Sequence, residues 1–345
     1  MKLFYYKAAQ GNFGDDLNGW LWQALLPGQW NEQSDILFSG IGTILGNSMP
    51  PARHIIVFTS GIGYSPRPAD FDSPRWNVMA LRGPLTALAL EQPESAAVAD
   101  GALLLSTLPE FAPLPEARRH GVVFVPHYEA LLDGGWAEAA YRAGVELLDP
   151  RGDSREVIAR LRSARLVLAD SMHAAIIADT LRVPWIPLMS SSRINSFKWL
   201  DWSLSLGVPY EPVALPAPTV LGAYANAVQP FYGQGFSVRP PTREAAVAHF
   251  RRMMALQSRR WWRHARPRLK HLLHKLPDQA MRLSIVQRQV QRLDQRRVDR
   301  TAVMLRAQAS RTGYLSDNAI LGARIDELRD RLSRTAALAQ TMRPG

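Results

Sequence analysis

The chain has 345 residues, 47% of them apolar and 21% charged, which is typical of a soluble globular protein long enough for two α/β domains with separate cores. It contains no cysteine, so disulfides, thiolate catalysis and cysteine-based zinc sites are excluded. The net charge of +11 is unevenly distributed, because residues 251–345 carry +15 and residues 1–250 carry −4. The question of a basic partner therefore concerns the C-terminal region alone.

Short apolar runs predict strands throughout the first part of the chain, at residues 2–6, 35–39, 53–59, 77–81 and 98–102. Helices are predicted between them at residues 17–26 and 85–90. Several strands end in turns that contain glycine, where a phosphate or a sugar can approach the backbone closely. None of these turns matches a dinucleotide-binding or P-loop motif. The N-terminus lacks the features of a signal peptide, and no run is apolar enough to span a membrane, so we expect a cytoplasmic protein.

Residues 106–120 are rich in proline and charge and predict a linker between two domains. Beyond the linker, predicted strands at residues 121–125, 145–148, 166–169 and 185–188 alternate with helices at residues 136–143, 155–163 and 174–181. Such alternation predicts parallel sheets with right-handed crossovers. We therefore expect an α/β fold of two Rossmann-like domains, residues 1–118 and 119–242, that face each other across a cleft. A helical region, residues 243–345, would follow them.

A polar turn, Asp170-Ser-Met-His173, separates a predicted strand from a predicted helix. Ligands of open parallel sheets lie outside the carboxyl ends of the strands, and the first turn of a helix has free N–H groups. The turn therefore predicts an anion-binding site, with Asp170 or Ser171 as the helix cap and His173 in the first turn. The alternative is a histidine with a purely structural role.

Other polar turns would converge on this one if two domains faced each other. The predicted set comprises Asn12, Asp15, Asp16 and Arg82 in the first half, and His127, Glu129, Asp170, Ser171, His173, Arg193 and Lys198 in the second. One or two histidines with three cations predict a pocket for a small ligand that bears two anionic groups. Two simpler alternatives remain: Asp15 is a helix cap, and Arg82 is a surface charge. No pattern of metal ligands is visible, so no metal site is predicted.

Six short motifs follow one another along the chain. They are Gly11-Asn-Phe-Gly-Asp-Asp16, Leu81-Arg-Gly-Pro-Leu-Thr86, Asp100-Gly-Ala-Leu-Leu104, Val125-Pro-His-Tyr128, Asp170-Ser-Met-His173 and Phe197-Lys198. In this order they resemble the polysaccharide pyruvyl transferase family, which includes the ketal pyruvyl transferases of bacterial exopolysaccharide synthesis. The resemblance covers roughly residues 1–205. It implies a GT-B-like fold, phosphoenolpyruvate as the donor substrate without a further cofactor, and a sugar of a lipid-linked or growing polysaccharide as the acceptor.

The resemblance also implies roles for individual residues. Arg82 matches the donor-binding arginine, His173 matches the essential histidine, and either Arg193 or Lys198 matches a downstream cation. His173 would act as the general acid, or as the base on a sugar hydroxyl, while His127 and Glu129 would bind or deprotonate the acceptor. The sequence departs from the family in one motif, since Gly101 follows Asp100 where many members have proline. Two other functions stay open: a GT-B glycosyltransferase that uses a nucleotide sugar, and a non-catalytic membrane scaffold.

The C-terminal region suggests partners of its own. Residues 251–275 are basic, contain tryptophan and lack any acidic residue, which favours an anionic membrane surface at the inner face of the membrane. Nucleic-acid binding is the less favoured alternative, and a solvated, oligomerising helical arm is the third. Leu321, Ile325, Leu328 and Leu332 have a spacing that predicts a short coiled coil or a helical hairpin, with a break at residues 312–313.

Overall fold

The computed structural model describes residues 1–46 and 49–342 and has a mixed α/β architecture. The strands are β1 (Lys2–Phe4), β2 (Ile36–Ser39), β3 (His54–Phe58), β4 (Trp76–Ala80), β5 (His120–Val125), β6 (Glu146–Leu147), β7 (Ala164–Ala169), β8 (Trp185–Met189) and β9 (Val213–Ala214). The helices of the first two thirds are α1 (Phe13–Asp16), α2 (Asn18–Leu25), α3 (Pro84–Ala89), α4 (Trp136–Ala143), α5 (Ser154–Arg162), α6 (Met172–Thr180), α7 (Ser196–Ser205) and α8 (Val220–Val228). The C-terminal helices are α9 (Arg243–Ser258), α10 (Arg260–Ala280), α11 (Ser284–Ala309) and α12 (Asn318–Thr341).

The strands form two parallel sheets, as the sequence predicted. The first has the order β1-β2-β3-β4 and the second the order β6-β5-β7-β8-β9. In the second sheet the direction of winding reverses between β5 and β7. Such a switch point leaves a crevice at the carboxyl ends of the two strands, where ligands bind in doubly wound sheets.

One predicted strand is absent from the described chain. Residues 98–102 do not join the first sheet; Ala97 makes a single bridge to Leu81, and Gly101–Thr107 forms a 3₁₀ helix. The Asp100 side chain caps this helix by accepting from the backbone N–H of Ala102 at 3.0 Å. The prediction failed because an apolar run that is buried all round has the same pattern in a strand and in a short helix.

The apolar core runs without a break from the first sheet to the second. Phe38 of β2, Val57 of β3, Val125 of β5 and Ile176 of α6 belong to one cluster of buried side chains. A second cluster lies on the other face of the second sheet, beneath α4 and α11. The expectation of a separate core for each half is therefore wrong. Buried side chains of both sheets thus belong to one continuous cluster.

Two helices of the structure, α7 and α8, were not predicted from the sequence. The helix α7 was missed because tryptophan, serine and aspartate have only modest helix propensity. It forms because its tryptophans are buried, with Trp202 packing 5.2 Å from Trp185, centroid to centroid. The helix α8 was missed because glycine and neighbouring prolines obscured the helical spacing of its apolar residues. The position of α7 matters for function, since it contacts α3 of the first half.

The C-terminal helices pack against the rest of the chain. The helix α11 packs on α4, whereas α12 packs near β4, where Arg331 donates to the backbone oxygen of Met79 at 2.9 Å. Leu321, Leu328 and Leu332 are buried in the common core. Their spacing therefore serves packing within the chain, and the predicted coiled coil or hairpin is wrong. The predicted break at residues 312–313 is confirmed. Within the described ranges, no helix is long and apolar enough to cross a membrane.

Candidate functional site

A cavity of ≈ 640 Å³ lies beside the carboxyl ends of strands from both sheets. Its walls come from the segments that follow β1, β2 and β3 in the first sheet, and β5 and β7 in the second. Eight of the predicted side chains line it: Asn12, Asp15, His127, Glu129, Ser171, His173, Arg193 and Lys198. The structure thus brings together residues that are separated by up to 186 positions in the sequence.

His173 is the second residue of α6 and follows the switch-point strand β7. Its side chain is nearly buried, and Nε2 has no hydrogen-bond partner in the described part of the chain. The ring packs directly on Gly14, where an added Cβ would lie 2.0 Å from Nδ1. Burial, then Lys198 and then Arg82, lower the pKa of His173 to about 3. The imidazole is therefore neutral at physiological pH, with one ring nitrogen that can accept a hydrogen bond.

His127 provides a second neutral imidazole across the switch point, just beyond β5. Its ring lies 4.8 Å from that of Tyr128, centroid to centroid, and Nδ1 has no partner among the described residues. Burial, then the charge of Lys198 and then that of Arg193, together lower the pKa of His127 to about 3. Two buried ring nitrogens without partners are costly in a folded protein and are characteristic of a site that receives a ligand.

Asp15 on α1 is an acidic group of the cavity with a strongly raised pKa. Burial raises the pKa of Asp15 to about 7, although Lys198 and a hydrogen bond from the Asn12 side chain oppose the shift. Asp15 is thus partly protonated at neutral pH, where a group can both donate and accept protons. It is not the helix cap, because the Asn12 side chain caps α1 by accepting from the N–H of Gly14.

Arg82 does not line the cavity, contrary to the expectation that it contacts the ligand. Its side chain is 0% exposed, and Nε donates to Asp201 Oδ2 at 2.9 Å. Nη1 donates to Thr43 Oγ1 at 2.6 Å, and Thr43 itself lines the cavity. Arg82 therefore lies directly behind the wall of the cavity. A buried guanidinium requires a carboxylate partner, and Asp201 provides it. Its charge still reaches His173, whose pKa it helps to lower.

Asp16 and Asp170 are the other two predicted ligand-binding residues that lie outside the lining. Asp16 accepts from the backbone N–H of Asn12 at 3.0 Å, so it stabilises the start of α1. Asp170 is fully buried and accepts from the N–H of His127 and from the N–H and hydroxyl of Ser190, at 2.6–2.8 Å. It joins the ends of β5, β7 and β8. Ser171 is the N-cap residue of α6 and lines the cavity, without a side-chain capping bond.

Both candidates for the downstream cation line the cavity, but in different surroundings. Arg193 Nη1 lies 3.8 Å from Glu129 Oε2, so a carboxylate already balances part of its charge. Lys198 in the first turn of α7 lies with Nζ 5.7 Å from the ring centroid of Tyr64. Its charge influences the pKa of Asp15, His127 and His173 alike. Of the two candidates, Lys198 is therefore the one whose charge affects all three of these groups.

Sequence reasoning missed several residues of the lining. One group is aromatic and includes Phe4, Tyr5, Tyr6, Tyr64, Tyr128 and Phe236. Lys7 adds a further cation, and Gln257 and Arg266 come from the C-terminal helices. The aromatic run directly after β1 was a possible signal, because side chains at the carboxyl end of a parallel strand face the ligand crevice. No local pattern linked the C-terminal helices to motifs that lie far upstream.

Comparison with known proteins agrees with this geometry. The family model described as polysaccharide pyruvyl transferase matches residues 79–192, a range that holds Arg82, His127 and His173. The chain is also 39% identical over 245 residues to the "Succinoglycan biosynthesis protein ExoV" of Rhizobium meliloti (strain 1021), an alignment that covers 71% of this chain and 77% of that protein. The chain belongs to the polysaccharide pyruvyl transferase family. This pyruvyl transferase is accordingly an enzyme of that kind, as the resemblance of its motifs predicted. No solved structure matches it.

Proposed function

We propose that this enzyme transfers pyruvate from phosphoenolpyruvate to a sugar of a bacterial exopolysaccharide and forms a ketal. One observation carries the proposal: two buried imidazoles without partners share a cavity with Lys198 and Arg193. Such a site suits a small donor with two anionic groups that reacts by proton transfer. The name of the relative from Rhizobium meliloti supports a role in polysaccharide biosynthesis. The chemistry needs no further cofactor.

In this proposal Lys198 and Arg193 bind the carboxylate and the phosphate of the donor. Fixed cations orient the donor and stabilise the charge that develops on the departing phosphate. Arg82 acts from behind the wall: it orients the Thr43 hydroxyl and contributes a positive field, without touching the donor. It is a positioning residue here, and Asp201 in turn fixes its orientation.

Formation of the ketal adds one proton to the donor and removes one proton from each of two sugar hydroxyls. A proton added to C3 of phosphoenolpyruvate makes the methyl group, and C2 then takes up two sugar hydroxyls as the bond to the phosphate oxygen breaks. The two hydroxyl protons leave, and the departing phosphate takes up one proton overall. In this proposal Asp15, partly protonated at neutral pH, supplies a proton, and neutral His173 accepts one from a sugar hydroxyl. A positioned proton-transfer group contributes roughly 10²- to 10⁴-fold in rate.

The acceptor would lie against the polar and aromatic residues of the same cavity. Asn12, His127, Glu129 and Ser171 offer hydrogen-bonding groups for sugar hydroxyls. The aromatic side chains of the lining offer flat apolar faces that suit the apolar faces of pyranose rings. We propose a sugar of a lipid-linked or growing glycan as the acceptor.

The finer architecture is part of the proposal. We infer a GT-B-like arrangement in which residues 1–118 and 119–242 form two Rossmann-like domains and residues 243–345 form a basic helical region. The two parallel sheets, with the cavity beside the carboxyl ends of both, support this division. The continuous core between the sheets means that any closure of the site would involve small movements. The heptad-like leucines are buried within the chain, so they give no support to a homo-oligomer.

We further propose that α10 lies on an anionic membrane surface at the inner face of the membrane. Trp261 and Leu272 are 56% and 57% exposed, and they lie three helical turns apart on one side of α10. Exposed cations such as Arg268 and Lys275 accompany them. A basic helix face with exposed apolar side chains is typical of interfacial binding, which suits a lipid-linked acceptor better than nucleic acid.

Binding to lipid vesicles tests the membrane proposal. The Trp261→Ala/Leu272→Ala variant should bind vesicles containing anionic lipid at least tenfold more weakly than the parent enzyme. Leu204→Ala, at an exposed leucine of α7, is the matched control. Equal binding of all three proteins would exclude α10 as the contact surface.

Release of phosphate tests the catalytic proposal. The purified enzyme should release phosphate from phosphoenolpyruvate only when a glycan acceptor is present, and mass spectrometry should find one ketal-linked pyruvate on that glycan. A nucleotide sugar should not replace phosphoenolpyruvate. Transfer of a sugar from the nucleotide sugar, without any ketal, would refute the proposal in favour of a GT-B glycosyltransferase.

A further inference from the structure

The C-terminal helices contribute two polar side chains to the cavity, Gln257 from the last turn of α9 and Arg266 from α10. Arg266 is half-buried, and within residues 1–46 and 49–342 it makes no ion pair or hydrogen bond. It lies well beyond the segment that the family model matches, which ends at residue 192. A half-buried guanidinium beside a cavity, without a protein partner, is available to a ligand.

Arg266 lies apart from the charges that surround the two histidines. The cations that lower the pKa of His173 are Lys198 and Arg82, and those that lower the pKa of His127 are Lys198 and Arg193. Arg266 is absent from both sets, although it lines the same cavity. Arg266 therefore does not belong to the set of charges that shifts the pKa of the two histidines.

Two aromatic rings line the cavity together with Arg266 and Gln257. Phe236 packs edge-on against Tyr64, with 5.2 Å between the ring centroids. The backbone beside Phe236 contacts α9, where His249 Nε2 lies 2.7 Å from the backbone oxygen of Gly235. The aromatic wall and the C-terminal helices are thus parts of one packed unit.

The size of the cavity exceeds the need of the donor. Its volume of ≈ 640 Å³ lies within the range of pockets that enclose drug-sized ligands. Phosphoenolpyruvate has only three carbons, so most of the space is left for the acceptor. The side chains that the C-terminal helices add to the lining are those that we expect a second sugar unit to reach.

On the basis of the proposed function, we propose that Phe236, Gln257 and Arg266 form an outer acceptor subsite, with Tyr64 between this subsite and Lys198. It would bind the sugar unit next to the one that receives pyruvate. The aromatic rings would contact the apolar face of that sugar, and Arg266 and Gln257 would hydrogen-bond its hydroxyl or acidic groups. The acceptor class is therefore an oligosaccharide of two or more units, and Arg266 determines specificity for its length.

Steady-state kinetics with acceptors of two lengths tests this subsite. The probes are a monosaccharide and a tetrasaccharide fraction prepared from succinoglycan, each treated with mild acid to cleave existing ketals. With Arg266→Ala, kcat/KM for the tetrasaccharide should fall at least tenfold, which corresponds to about 1.4 kcal/mol. The KM for phosphoenolpyruvate and the rate with the monosaccharide should not change. Arg266→Lys should restore part of the loss, which separates ligand binding from a folding defect.

Arg263→Ala is the matched control, because Arg263 is exposed on the same helix and does not line the cavity. It should behave like the parent enzyme towards both probes. An equal loss for the two acceptors, or a raised KM for phosphoenolpyruvate, would overturn the subsite and assign Arg266 to the donor. If the parent enzyme forms no ketal from phosphoenolpyruvate with either probe, it is the proposed function that fails.

Discussion

Replacement of Asp201 by asparagine tests whether a buried ion pair holds Arg82 behind the wall of the cavity. Both side chains are 0% exposed, and the Asp201 carboxylate accepts from Arg82 Nε, from the N–H of Thr86 and from the Thr86 hydroxyl, at 2.6–2.9 Å. Loss of one partner leaves a buried charge without compensation and costs about 3–5 kcal/mol. Asparagine keeps the shape of the side chain and part of the bonding to Thr86. We therefore expect the free energy of unfolding to fall by about 3 kcal/mol.

Urea denaturation followed by tryptophan fluorescence measures this loss. The control is Asp70→Asn, because the pair of Asp70 with Arg75 is 46% and 33% exposed and should contribute less than about 1 kcal/mol. The double variant Arg82→Met/Asp201→Leu should regain much of the stability, because apolar residues of similar volume can replace a buried pair. It should remain nearly inactive, since it lacks the field of Arg82. A destabilisation by Asp201→Asn no greater than that of the control would refute the reasoning.

The pKa of Asp15 and the contact of Gly14 with His173 give two further predictions. Folding raises the pKa of Asp15 from 3.8 to about 7. Between these pH values the folded state therefore binds more protons than the unfolded state. As a result, the contribution of Asp15 makes the free energy of unfolding fall as the pH rises from about 4 to 7. Asp15→Asn should remove that fall and stabilise the protein at pH 8 by up to about 4 kcal/mol. Urea denaturation at pH 4.5 and at pH 8 measures the effect. An unchanged pH dependence of the free energy of unfolding would contradict the raised pKa of Asp15. Gly14→Ala should lower kcat at least tenfold, because the added Cβ would lie 2.0 Å from His173 Nδ1. Gly322→Ala is the control and should leave kcat unchanged, because Gly322 has open space around it. Equal kinetics of the two glycine variants would mean that the His173 ring is not held by this contact.

The parts of the structure that were predictable from the sequence depend on local patterns. A parallel strand that is buried on both faces has a continuous run of apolar residues in its sequence. For this reason β7 and β8 were predicted with nearly correct limits. The polar turn between β7 and α6 was found for the same reason, together with the position of His173 in the first turn of the helix. Family membership followed from motifs of this local kind and is confirmed.

Other parts depend on contacts that no local pattern contains. The burial of Arg82 follows from a carboxylate 119 positions away, which the sequence cannot pair with it. Arg266 reaches the cavity because α10 packs against other helices rather than extending from the body of the protein. That both Arg193 and Lys198 line the cavity likewise follows from tertiary packing. Tertiary packing therefore decides which of several plausible charges face the ligand.

Incorporation of labelled pyruvate tests the central claim, that the cavity around His173 transfers pyruvate from phosphoenolpyruvate to a glycan. The measurement compares the parent enzyme, His173→Gln and His264→Gln, using carbon-labelled phosphoenolpyruvate and an acid-treated exopolysaccharide oligosaccharide as the acceptor. His264 is an exposed residue of α10 and serves as the matched control. We predict that His173→Gln lowers the rate of labelling roughly 10²- to 10⁴-fold, while His264→Gln labels the glycan at the parent rate. Labelling by His173→Gln at the parent rate would contradict the account.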